Sequence, residues 1–302
     1  MQQPLDYYLL DVFTNQPFGG NPLAIFPNAD KLSSKQMHQI AKELNLSETV
    51  FLTKPALPEA DIAMRIFTPA RELPTAGHPT IGAAYLMLSF NLLKPADPNC
   101  LRIEQKIGLI KISFDKTGNE INDLLMEQPA PVFDQTFTDK ALMASLLNID
   151  MDDIYSNYPC RIVNCGNPFL LIPVKQLASI KQIELNQVLY ESILEEVELA
   201  GVMPFTLATV NNHCIAHSRM FAPNLGIKED PATGSAHGPL AAYLHNYQLA
   251  DLQKVQTCEQ GFEMGRPSFI KVQVIADMGK IDKILIGGQS VVMAKGTFYH
   301  FE

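Results

Sequence analysis

The sequence is short of positive charge: 23 lysines and arginines face 32 aspartates and glutamates in 302 residues, a formal net charge of −9. No basic run interrupts that balance, which argues against a nucleic-acid footprint or a polybasic membrane patch. A disulfide framework is also missing. The five cysteines, Cys100, Cys160, Cys165, Cys214 and Cys258, are odd in number and scattered, a usage that points to reduced thiols in a cytoplasm. Only Cys160 and Cys165 lie close together, and without a second pair they make a poor zinc motif. No apolar stretch approaches a membrane span, and the first dozen residues lack the basic and apolar regions of a signal peptide. There is neither a phosphate loop nor a dinucleotide fingerprint. What remains is a chain with 47% hydrophobic residues, ample for two cores, whose expected partner is a small molecule.

Against these absences stands a pattern stated twice. Gly20-Asn21-Pro22-Leu23-Ala24-Ile25-Phe26-Pro27 returns 146 residues later as Gly166-Asn167-Pro168-Phe169-Leu170-Leu171-Ile172-Pro173. Phe67-Thr68-Pro69, followed by Ala83-Ala84-Tyr85-Leu86, has its echo in Phe221-Ala222-Pro223, followed by Ala241-Ala242-Tyr243-Leu244, with an offset of 154 for the first segment. Units of about 150 residues have the usual size of a domain, so the spacing predicts a tandem duplication with a cleft between the copies. Clefts of that kind are where small-molecule sites form. The Pro-rich stretch 128–131 reads as a linker between an N-terminal domain over 1–127 and a C-terminal domain over 132–286. The tail over 287–302 is expected to cross back and complete the first domain.

Each half mixes short strands with helices. Ser33 and Gln36 make a capping box, Leu32 and Met37 a staple, and Met37, Ile40, Ala41 and Leu44 one apolar face, which together predict a helix. Strands are expected at Tyr7 to Phe13, Leu23 to Phe26, Thr49 to Leu52, Asp61 to Phe67, Ile107 to Phe114 and Leu124 to Glu127 in the first half. In the second they are expected at Phe169 to Val174, Phe205 to Val210 and Ile215 to Met220, and the tail from Ile284 to Phe298 is strand-like with a break at Gly287-Gly288. Further helices are predicted over Lys140 to Leu147 and Val188 to Val197. Two more, Thr80 to Leu88 and Ser235 to Asn246, read as largely buried.

Three segments could carry chemistry: Asn45-Leu46-Ser47-Glu48-Thr49, Ala76-Gly77-His78-Pro79-Thr80, and Lys228-Glu229-Asp230-Pro231-Ala232-Thr233-Gly234-Ser235-Ala236. The last two set glycine and small hydroxyl residues just before a buried helix, where unpaired backbone N–H groups and the dipole favour an anion such as a carboxylate. Glu48 stands between an amphipathic helix and the apolar strand Val50-Phe51-Leu52, a partly desolvated setting that suits a general acid/base as well as a turn cap. His78 either orients its loop or transfers a proton. Asp230 before proline is a turn former or a functional carboxylate. Ser235 is not a nucleophile, because Thr233 occupies the first glycine position of the nucleophile elbow; an anion-binding role fits it better. As metal ligands, His213 and His217 are read on a strand, about 13 Å apart and too far to share an ion. His237 and His245 are separated by about 12 Å along a helix.

Taken in order, these segments resemble the PhzF family of phenazine-biosynthesis-like isomerases. The resemblance is carried by Asp11-Val12-Phe13-Thr14, Pro17-Phe18-Gly19-Gly20-Asn21-Pro22, Asn45-Leu46-Ser47-Glu48-Thr49, Phe67-Thr68-Pro69, Gly77-His78-Pro79-Thr80 and Glu229-Asp230-Pro231-Ala232-Thr233-Gly234-Ser235-Ala236. Gly265-Arg266-Pro267-Ser268 and Gly287-Gly288 extend it over nearly the whole chain. It implies a diaminopimelate epimerase-like fold of mixed α+β class: two similar domains, each a mixed β-sheet curled around a central helix, with the active site between them. It also implies an enzyme that needs no cofactor and is commonly a homodimer. By the same resemblance Glu48 acts as acid/base at carbon, His78 and Asp230 are its active-site partners, and Gly77, Gly234 and Ser235, with Ser47 nearby, hold the substrate carboxylate. Racemases of this fold use a pair of cysteines in these loops, and neither loop here contains one. Thr75 departs from the aromatic residue common before Ala-Gly-His, which bears on the substrate pocket. The expected activity is a proton shift between carbon atoms of a small carboxylic acid. Two alternatives stay open: a noncatalytic module that binds a small acid or a protein, and an epimerase with a second group on the opposite face of the substrate.

Overall fold

A computed structural model of the chain describes residues 4–118, 120–277 and 280–299. Its first stretch holds β1 (Leu5–Val12), β2 (Asn21–Phe26), α1 (Ser34–Leu44), β3 (Glu48–Thr53), β4 (Ile62–Phe67), β5 (Glu72–Leu73), α2 (Gly77–Ser89), β6 (Cys100–Gln105), β7 (Gly108–Thr117) and β8 (Glu120–Gln128). There follow β9 (Val132–Phe137), α3 (Lys140–Leu147), β10 (Cys160–Asn164), β11 (Pro168–Pro173), α4 (Leu177–Gln182), α5 (Gln187–Glu196) and β12 (Gly201–Thr206). The rest is β13 (Ala216–Ser218), β14 (Met220–Ala222), β15 (Ile227–Asp230), α6 (Gly234–Asn246), β16 (Gln256–Gln260), β17 (Ser268–Asp277), β18 (Lys280–Gly287) and β19 (Ser290–Phe298). By its contacts the chain divides into two compact units, Met1–Glu127 with Gly287–Glu302, and Gln128–Ile286.

In the first unit β1 lies antiparallel to β19 and β2, β2 parallel to β3, β3 antiparallel to β4, β4 parallel to β6, and β6 antiparallel to β7. The second unit repeats the order: β10 antiparallel to β11, β11 parallel to β12, β12 antiparallel to β13, β13 parallel to β16, and β16 antiparallel to β17. Each parallel pair needs a crossover. In both units the second crossover carries the central helix, α2 or α6. β1, β2, β3 and β19 pack on α2, while β10, β11 and β17 pack on α6. The other face of the first sheet is covered by α1 through Met37, Ile40 and Ala41, in one core with Phe26, Phe51 and Phe67. α3, α4 and α5 cover the second through Leu146, Ile180 and Tyr190. With both faces covered, β2 and β12 are buried along almost their whole length, which is why they read as unbroken apolar runs.

The duplicated Gly-Asn-Pro has a backbone reason. Gly20 (φ +59°) and Gly166 (φ +110°) both take left-handed conformations just ahead of β2 and β11, a region that L-residues with a Cβ avoid. At Gly20 a Cβ would also stand 2.2 Å from the Val12 carbonyl oxygen.

The α1 capping box is present as read, with Ser33 and Gln36 each satisfying the other's backbone N–H. Other expectations need correction. α2 begins at Gly77 rather than Thr80, because Pro79 has no N–H to lose and is tolerated in a first turn. The strand expected over Phe205 to Val210 is Gly201–Thr206. The one expected over Ile215 to Met220 is broken at Arg219, with β13 paired to β16 and β14 to β15. His213, read as a strand residue, lies in a turn. α4 and strands β5, β6, β9, β10, β15, β16 and β17 are additional to those expected.

One buried polar cluster was invisible in the sequence because its histidine lies over 40 residues from both of its carboxylate partners. His217 Nδ1 lies 2.9 Å from Glu259 Oε1, and its Nε2 lies 3.1 Å from Glu263 Oε1. Burial opposes the imidazolium, but the hydrogen bonds to Glu259 and Glu263 outweigh it and raise His217 above its ordinary 6.5. Burial likewise opposes both carboxylates, and the bonds from His217, joined at Glu259 by Asn211, hold them below their ordinary 4.5. The histidine contribution to stability is full below pH 6.5 and fades as pH rises through its folded value; the carboxylate contribution is full above 4.5 and fades as pH falls. Urea unfolding of the wild type and of His217→Gln should therefore differ most between those two pH values, and a difference that stays flat from pH 4 to 8 contradicts the ion-pair reading. In the same assay Gly166→Ala should cost about 1–2 kcal/mol and Gly20→Ala more, since it adds the contact with Val12.

Candidate active site

Glu48 opens β3 opposite Leu23 of β2 and is 9% exposed. The turn before it is held from the duplicated motif, since Ser47 Oγ donates to Asn21 Oδ1 at 3.0 Å. Directly beside Glu48 is the head of α2: His78 Nε2 lies 3.4 Å from Glu48 Oε2. Burial drives the His78 imidazole from its ordinary 6.5 down to about 3, so it is neutral at working pH. The arrangement is a buried carboxyl group against a neutral ring that can donate or accept a hydrogen bond without competing for the proton.

The helices differ in how their first turns are satisfied. α1, α3 and α5 are capped by the side chains of Ser33, Asp139 and Asn186. α2 and α6 have no side-chain cap, and neither has the short α4. An α-helix leaves its first-turn N–H groups without intrahelical carbonyls; in the two central helices these include Gly77, His78, Gly234 and Ser235. Both helices are almost wholly buried, so their uncapped ends are suited to an anion.

The loop ahead of α6 is gripped from behind. Gln260 Nε2 donates to the Asp230 carbonyl at 2.6 Å, Ser268 Oγ to that of Pro231 at 2.9 Å, and Gln128 Nε2 to that of Gly234 at 3.1 Å. The Thr233 carbonyl accepts from His237 Nδ1 at 2.9 Å; burial holds that imidazole down at about 4, only partly offset by the bond. The carbonyls of Asp230, Pro231, Thr233 and Gly234 are thus each held by a buried side chain. Asp230 is 6% exposed and its Oδ2 accepts from Thr233 Oγ1 at 2.5 Å. Ser235 is half-buried in the first turn.

Glu48 and His78 thus meet in the first unit, and Asp230, Gly234 and Ser235 share one helix head in the second. The second unit has no counterpart of Glu48. The repeated motif equates Leu23 with Phe169, whose partner across the parallel pair is Gly201. A Cβ there would lie 2.7 Å from the Phe221 carbonyl oxygen, leaving no room for a carboxylate. Sequence reading missed Gln105, Gln128 and Gln260, single glutamines outside any motif; the spacing of 155 residues between Gln105 and Gln260, one more than the Phe-x-Pro offset, was the available signal.

Residues 10–296 match the family described as phenazine biosynthesis-like protein, PhzC-PhzF. The chain is 31% identical over 297 residues to the trans-2,3-dihydro-3-hydroxyanthranilate isomerase of Pseudomonas chlororaphis, covering 96% of this chain and 98% of that one. The crystal structure of a PhzF-family phenazine biosynthesis protein from Bacillus anthracis is similar with a TM-score of 0.90 and 30% identity, over 99% of this chain and 100% of that one. A hydroxyproline epimerase from Agrobacterium vitis shares the fold alone, at 11% identity and a TM-score of 0.65, over 98% of this chain and 91% of that one. The chain belongs to the PhzC-PhzF family of phenazine biosynthesis-like proteins and is an isomerase of that type.

Proposed function

We propose that the protein moves a proton between two carbon atoms of a small unsaturated carboxylic acid without a cofactor, with Glu48 as the acid/base. The carboxylate of Glu48 takes the proton, the C–H electron pair is delocalised into the unsaturated system, and the Glu48 acid returns the proton to a second carbon as the double bond shifts. His78 hydrogen-bonds the substrate or Glu48 as a neutral ring, and Asp230 orients a polar group of the substrate. Gly77, Gly234 and Ser235 bind the carboxylate through the uncapped helix ends, with Ser47 nearby.

The observation that carries this reading is the buried pair of Glu48 and neutral His78, 3.4 Å apart at the head of an uncapped helix. The absence of room for a second carboxylate at Gly201 supports one acid/base rather than two on opposite faces. A dihydro-hydroxyanthranilate, the compound in the Pseudomonas relative's name, is a cyclic, unsaturated carboxylic acid and sets the class of substrate to try first. Five free cysteines, four of them buried, support a reducing, cytoplasmic setting, and the family resemblance supports a homodimer.

Incubation with candidate acids in deuterium oxide should give wash-in at carbon by the wild type and a loss of about 10²–10⁴-fold in Glu48→Gln; tight binding without exchange would instead mark a noncatalytic module. The imidazole signals of His78, followed by NMR from pH 5 to 8, should stay those of a neutral ring. A midpoint near the ordinary 6.5 would remove the assigned role.

A further inference from the structure

We propose that Gln260 and Gln105 are a matched pair of positioning residues, each bracing the loop that presents one functional side chain; the inference rests on the proton-shift reading. They stand at equivalent places. Gln105 ends β6, which is parallel to β4, and Gln260 ends β16, which is parallel to β13. Gln260 is fully buried and Gln105 is 5% exposed.

All the polar capacity of Gln260 that matters here goes to one loop. Its Nε2 donates to the Asp230 carbonyl at 2.6 Å and to Thr233 Oγ1 at 3.1 Å, while its Oε1 accepts the Thr233 N–H at 3.1 Å. Flipping the amide would set two acceptors against each other at Asp230 and two donors at Thr233, so the orientation is fixed. Because Thr233 Oγ1 accepts from Gln260, its single proton points to Asp230 Oδ2. A directional chain from Gln260 through Thr233 to the carboxylate results, each link polarising the next.

Gln105 does the corresponding work at α2. It accepts from Thr75 Oγ1 and donates to Thr80 Oγ1, both at 2.7 Å, and Thr80 Oγ1 in turn donates to the Ala76 carbonyl at 2.6 Å. These bonds bracket residues 75–80 and hold Gly77-His78-Pro79 between two fixed points. Thr75, where the resemblance leads one to expect an aromatic residue, is therefore a member of the brace.

The test is kinetic and structural. In the exchange assay Gln260→Met should lower kcat by about 10²-fold with KM nearly unchanged, the size expected for a small misplacement of a reacting group. Thr233→Val should match it, Thr233→Ser should restore most of the rate, and Gln260→Met combined with Thr233→Val should be no worse than either alone. Wild-type kcat in Gln260→Met, or equal rates for Thr233→Ser and Thr233→Val, would overturn the relay. Amide hydrogen exchange gives a readout independent of any substrate. The amides of residues 232–236 in Gln260→Met, and of 75–78 and 80 in Gln105→Met, should exchange at least about tenfold faster while α3 and α5 keep their wild-type protection; unchanged local protection would overturn the brace. If no acid shows exchange with the wild type, the proton-shift reading fails, and the brace is still decided by these amide rates.

Discussion

Two helices in this protein are buried on nearly every side and yet begin without a side-chain cap. Buried backbone N–H groups need partners, and a chain that caps α1, α3 and α5 from their own sequences leaves the first turns of α2 and α6 to something else. The surrounding structure serves that arrangement. Strand ends bring buried amides and hydroxyls into hydrogen bonds with the loop or first turn at the head of each central helix. Preorganised donors of this kind cost no rearrangement when charge develops on a substrate.

The architecture is doubled but the side chains at equivalent positions are not. Both units use the same succession of antiparallel and parallel pairs and the same central crossover helix. At the start of the third strand of the series, however, one unit carries Glu48 and the other Gly201. The difference is steric as well as chemical, since the Phe221 carbonyl closes on Gly201 where a side chain would begin. The buried carboxyl group with a neutral histidine beside it therefore stands at this position in the first unit, and the second has backbone there instead.

Much of this was legible from residue types. The capping box at Ser33 and Gln36 fixed α1, the repeated Gly-Asn-Pro marked equivalent strands, and the small residues ahead of two apolar helices marked the heads of α2 and α6. The misreadings have local causes. Gly77-His78-Pro79 looks like a turn, and only the tolerance of a first turn for proline makes it helical. Arg219 looked like one more strand residue, but its guanidinium binds Glu229 and the carbonyls of Ile180 and Ile183, and the strand breaks there. Gln105, Gln260 and the His217 cluster depend on residues brought together by parallel pairing, and no short motif encodes that.

The central claim is that one carboxyl group, Glu48, both removes and returns the migrating proton. It is tested most directly with an acid that supports exchange, deuterated at the carbon that loses its proton and turned over in ordinary water. The account predicts that part of the deuterium appears at the carbon that gains the proton, carried there by Glu48, and that Glu48→Gln transfers none. Transfer of the label by Glu48→Gln at the wild-type rate would contradict it.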